Sequence, residues 1–175
     1  MAKKIRRAKP SNLSKSAIEK LSEEIARELD FTKDSDLIDL VTELGGLVSV
    51  SDEWQDNESA GSLIVKSPTR FEIRVPSHTS VERDRFTIAH ELGHYFVHYL
   101  LAGMASEENI VFEARRYGSK REEWEANWFA AAFLMPENEF RTTFAEFHKN
   151  IVSVARNFEV SRGAAETRAK SLGLM

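Results

Sequence analysis

Two histidines and a glutamate fall within five residues in the stretch TIAHELGHYFVH, residues 87–98, of a chain that holds only five histidines. On an α-helix His90 and His94 stand about 40° apart around the axis and about 6 Å apart along it, so both imidazoles can reach one ion. Glu91 projects about 100° from His90, beside the ion and not on it, where its carboxylate can take a proton from water. This H-E-x-x-H spacing is that of a helix-borne metallopeptidase site.

A catalytic zinc takes three protein ligands, so a third must come from elsewhere in the chain. The segment REEWEANWFAAAFLMP, residues 121–136, offers Glu122, Glu123 and Glu125. With Glu123 at 0° on an ideal helix, Asn127 falls at about 40°, Ala130 at about 340° and Ala126 near 300°, whereas Glu125 and Glu122 turn away by about 200° and 260°. Glu123 and Asn127 thus share a face of small residues that permits close approach to the histidine helix. The spacing makes Glu123 the third ligand and puts Asn127 where its amide oxygen can accept a ring N–H from a ligating histidine. His98 follows His94 by four, but lies about 12 Å along a straight helix from His90, too far to join it on one ion; it is expected to be a partly buried, hydrogen-bonded side chain. Tyr117 and His148 are the candidates by chemistry for stabilising an oxyanion, ahead of Tyr95 and Tyr99.

These residues need elements to hold them. At 175 residues and 42% hydrophobic content, one domain with a real core is expected. The absence of cysteine excludes thiolate ligands and disulfides, which suits a cytoplasmic protein. The longest apolar run, WFAAAFLM at 128–135, is far below the ~20 residues that span a bilayer. Apolar periodicity predicts helices over 14–29 and 34–44, a long helix from about Ser80 to Leu101 carrying the motif, another from about Arg121 to Met135, a helix begun by Pro136, and two more near 150–157 and 162–172. Strands are expected at 47–51, 62–66 and 71–75, in a small, mainly antiparallel sheet. The stretch SEENIVFEARRYGSK reads as a loop, and Gly93 inside the motif helix suggests a close packing contact. The fold class is therefore α+β: a sheet against a central H-E-x-x-H helix, then a helical C-terminal segment.

Three segments resemble the ImmA/IrrE family of metallopeptidases: RFTIAHELGHYFVH, EWEANWFAAAFLMP and the closing ARNFEVSRGAAETRAKSLGL. The likeness covers roughly Leu37 to Leu174. It implies a zincin-like core, one Zn2+ per chain held by His90, His94 and Glu123, and Glu91 as the catalytic carboxylate. It also implies a protein substrate, a helix-turn-helix transcriptional repressor of a mobile element or stress response.

The domain reading is a basic flexible arm at 1–13, a metallopeptidase domain at 14–148 and a helix-turn-helix-like segment at 149–175. The first ten residues carry five Lys or Arg and no acid, and removing them is expected to leave the fold intact. An alternative function follows from the arm and the closing helices: a non-catalytic regulator that binds DNA or a repressor. The net charge of −4 and an excess of only two positive charges over residues 150–175 make that footprint weak.

Overall fold

A computed structural model describes residues 3–51, 62–77, 79–115 and 120–175. Strand β1 (Lys4–Arg7) is followed by helices α1 (Lys15–Glu28) and α2 (Leu37–Glu43), then by strands β2 (Gly46–Ser51), β3 (Ser62–Ser67) and β4 (Arg70–Pro76). Helix α3 (Val81–Gly93) runs into a π-helical segment, His94–Leu100, and strand β5 (Ile110–Arg115) follows. Four helices complete the chain: α4 (Arg121–Leu134), α5 (Glu137–Glu146), α6 (Ile151–Asn157) and α7 (Arg162–Ser171).

The α+β class expected from the sequence is the class observed, with a five-stranded sheet in the order β1-β5-β3-β4-β2. The sheet is mixed: β3 runs antiparallel to both β4 and β5, while the outer pairs β1/β5 and β2/β4 are parallel. Residues alternate across its faces, and Leu63, Val65, Phe71, Ile73, Val75, Phe112 and Ala114 are buried on the side that receives α3. Gly45, at φ +86°, turns α2 into β2; a side chain there would sit 2.5 Å from the Thr69 carbonyl oxygen. Helix α4 packs on α3, and α1 packs on α4.

The basic segment 1–13 is not a flexible arm over its described residues. Lys4 to Arg7 pair in parallel with Ile110 to Glu113, and Arg6 bonds Glu107 at 2.6 Å. Alternating basic residues suit a short edge strand, whose charges discourage further pairing. After β1 the chain crosses to α4, where the Ser11 and Asn12 amides donate to Glu125 and Arg121 donates to the Leu13 carbonyl. The second overlooked strand, β5, lies in the stretch read as a loop. Its alternation of Ile110, Phe112 and Ala114 inward is short, and its partners β1 and β3 are far away in sequence.

At the C-terminal end Pro136 caps α5, and Phe140 and Phe144 turn inward while Phe147 stays exposed. Phe158, between α6 and α7, stacks on Phe140 at 5.6 Å. Buried Arg168 of α7 donates to the Met135 carbonyl at 3.0 Å and pairs with Glu19 of α1 at 2.5 Å, tying the closing helices to the rest.

Candidate metal centre

Helix α3 begins with Ser80, whose hydroxyl accepts from the Arg83 amide, and acidic Glu82 and Asp84 suit its first turn. Its second half is buried from Thr87 to Gly93, with Leu92 and Ala89 in the core. The backbone then widens into π-helical turns from His94, and Leu101 bonds back to Phe96 instead of Val97. The straight α-helix expected to Leu101 therefore ends at Gly93. Aromatic and branched side chains between His94 and Leu100 fill the space at this wider turn: Tyr95 stacks on Phe71, Phe96 on Phe129, and Tyr99 packs near Phe112.

Helix α4 approaches α3 at Gly93. An added Cβ at Gly93 would stand 3.0 Å from the Ala126 Cα and 3.1 Å from its carbonyl oxygen, so hydrogen on one helix and alanine on the other set the spacing. The close packing expected at Gly93 is thus present, and it brings Glu123, three residues before Ala126, up to the histidines.

His90 Nε2 and His94 Nε2 are 3.2 Å apart, and the two Glu123 carboxylate oxygens lie 3.3 Å from His90 Nε2 and 3.3 Å from His94 Nε2. The two Glu123 contacts end on different carboxylate oxygens, Oε2 toward His90 and Oε1 toward His94, and one ligand atom from each of the three residues lies within 4.8 Å of the others. The three residues are buried and form a group able to hold a metal ion. Burial opposes charge on Glu123, but its contacts with the His90 and His94 rings outweigh it and hold the carboxyl well below the usual carboxylate range. Burial pushes His94 below the ordinary imidazole value, chiefly by desolvation. An ionised carboxylate beside neutral imidazoles is the donor set that a borderline-soft divalent cation takes.

Asn127 Oδ1 lies 2.8 Å from His90 Nδ1, the contact expected from the helix phase. Glu91 is buried next to His90. Glu125 lies outside the group of His90, His94 and Glu123, but neither does it face water: it is fully buried, and its Oε2 lies 2.9 Å from His98 Nε2. His98 is hydrogen-bonded as expected but fully and not partly buried, with Nδ1 2.9 Å from His94 Nδ1. Helix phase alone separates Glu125 from the ion; only the packing of the N-terminal segment and the π-helical turn reveals its partners.

Of the oxyanion candidates, Tyr117 lies outside the described residues, and His148 is exposed with a left-handed backbone, φ 52°. Tyr95 and Tyr99 are committed to the sheet side, the Tyr95 hydroxyl donating to the Pro68 carbonyl at 2.6 Å.

A mixed sheet backed by one helix bearing two histidines, with a carboxylate from a second helix closing the group, defines a metallopeptidase-like domain. The family model of the IrrE N-terminal-like domain, a peptidase family, matches residues 54–170, and the chain belongs to that family. Among solved structures it is similar to a "Mycobacterium tuberculosis transcriptional regulator", with a TM-score of 0.63 and 21% identity over 91% of this chain. That likeness is one of fold, and the chain spans 48% of the regulator's length. No curated protein matches the sequence.

Proposed function

We propose that this domain is a zinc-dependent endopeptidase with a helix-turn-helix transcriptional repressor as substrate, a role that would place it in the cytoplasm. The observation that carries the reading is the buried group of His90, His94 and Glu123, in which one ligand atom from each residue lies within 4.8 Å of the others, two imidazoles and a carboxylate being a donor set that would hold a catalytic zinc. A zinc ion held there supplies Lewis acidity to a peptide carbonyl and to water. Glu91 is the group that takes the proton of the attacking water and hands it to the leaving amine, so that water and one peptide bond become a carboxylic acid and an amine. Asn127 keeps the His90 proton on Nδ1 and the ring turned inward.

The family membership supports the peptidase class, and the repressor substrate rests on the resemblance of the motif segments. The competing reading, a regulator that binds DNA through its basic N-terminal segment and closing helices, has weaker support. Arg6 is paired with Glu107, Arg162 with Glu166, and Arg168 is buried against Glu19, so these charges already have acidic partners.

The test is co-expression with a candidate repressor, followed by mass analysis of the repressor. Fragments with the wild-type chain and intact repressor with Glu91→Gln are expected. Intact repressor in both, together with binding to random duplex DNA that weakens steeply with salt, favours the regulator instead.

A further inference from the structure

We propose that His98 and Glu125 are positioning residues of the metal centre, and that a hydrogen-bonded line from the Ser11 and Asn12 amides through Glu125 and His98 fixes the tautomer of His94. The inference rests on the reading of His90, His94 and Glu123 as ligands.

The line begins at the main chain. Ser11 N–H donates to Glu125 Oε2 at 2.8 Å, Asn12 N–H donates to Oε1 at 3.0 Å, and Arg121 Nε donates to Oε1 at 3.0 Å. Three donors of this kind hold the carboxylate ionised and fix both its oxygens in place. An ionised carboxylate only accepts, so the proton of the 2.9 Å contact with His98 must sit on His98 Nε2. A neutral imidazole carries one N–H, which leaves His98 Nδ1 as an acceptor. Facing it at 2.9 Å is His94 Nδ1, which must then donate. With its proton on Nδ1, His94 directs the Nε2 lone pair toward His90 Nε2 and Glu123. The other assignment, a doubly protonated His98, would put the His94 proton on Nε2, the atom needed for the ion.

Asn127 does the same for His90, its carbonyl oxygen accepting from Nδ1. The two ligand imidazoles are thus set by unlike devices, one by a single amide and the other by a relay that ends in the N-terminal segment. Residues far from the metal motif in sequence thereby contribute to its geometry.

The experiment uses the full chain with zinc as the probe. Ring-¹⁵N NMR of metal-free and zinc-loaded protein is expected to show His98 protonated on Nε2 only and His94 on Nδ1 only. Glu125→Gln, with folding verified by circular dichroism, should mix the His98 tautomers and weaken zinc in chelator competition by about 10- to 100-fold, the usual cost of losing such an outer partner. The double variant His98→Phe with Glu125→Leu removes the pair without stranding a buried charge; it too should bind zinc about 10- to 100-fold more weakly. His98 found in the opposite tautomer, or zinc affinity within about twofold of wild type in both folded variants, overturns the proposal. Failure of the wild type to bind zinc, or zinc binding indifferent to Glu123→Gln, overturns the ligand assignment itself and the relay with it.

Discussion

Glu91 and Glu123 are both buried glutamates beside the same pair of histidines, yet their chemistry differs with their helix positions. Glu123→Gln removes the one charged donor of the ligand set, so zinc should be lost faster to a chelator, with activity partly restored by excess metal. Glu91→Gln keeps shape and removes only the proton acceptor. Zinc content should stay at the wild-type level while cleavage falls by about 10²- to 10⁴-fold, the usual contribution of a general base. A Glu91→Gln protein that cleaves at the wild-type rate would remove Glu91 from the mechanism. At this scale the sequence was most readable: spacing of three and four residues groups His90, His94 and Glu123 and leaves Glu125 outside the group before any neighbour is known. His98 and Glu125 show where such reading stops. Their 2.9 Å contact joins residues 27 apart, and angular phase within one helix carries no information about it.

Elements set the reach of these side chains. Gly93 and Ala126 let α3 and α4 touch backbone to backbone, and a methyl group at residue 93 would press on Ala126 at 3.0 Å. Gly93→Ala gains the helix preference of alanine, about 1 kcal/mol, against the displacement of α4. Stability measured by urea unfolding should therefore change little, while zinc affinity drops because Glu123 moves with Ala126. Unchanged affinity would mean that α4 does not set the ligand distance. The N-terminal segment shows the opposite balance of expectation and structure. Its composition reads as a solvated tail, but β1 closes one edge of the sheet and the residues after it give Glu125 two amide donors. Deletion of residues 1–13 should lower the unfolding free energy by more than about 2 kcal/mol, since hydrogen bonds to a buried carboxylate are each worth about 1.5–3. A truncated chain as stable as the whole would contradict this. Helices were legible because each carries its own period, whereas β1 and β5 depend on partners 47 to 106 residues away. The π-helical turn at His94 has no sequence period of its own and emerges from packing against the sheet.

Taken as a whole, the molecule buries an unusual set of titratable groups around one point, and its stability should report them. Burial, with the neighbouring His94, brings His98 down to about 4 from an ordinary 6.5. As pH falls below 6.5 the unfolded chain takes up this proton while the folded chain does not, so stability is lost across the interval down to about 4. Each pH unit of that interval corresponds to about 1.4 kcal/mol. Glu123 and Glu125, both held below the ordinary carboxylate value of 4.5, extend the loss further into acid, because they must be protonated on unfolding. Urea unfolding of metal-free protein should therefore show a decline from pH 7 to pH 5, smaller in the double variant His98→Phe with Glu125→Leu, where buried His94 alone of the two still contributes. A flat profile in the wild-type chain would mean that His98 is not buried as described. The central claim, that this family member is built around a His90-His94-Glu123 metal centre, is tested most directly by elemental analysis of protein purified without chelator. The account predicts about one zinc per chain in the wild type and in Glu91→Gln, and little in His90→Ala. Wild-type protein without stoichiometric metal, or His90→Ala that retains it in full, would contradict the account.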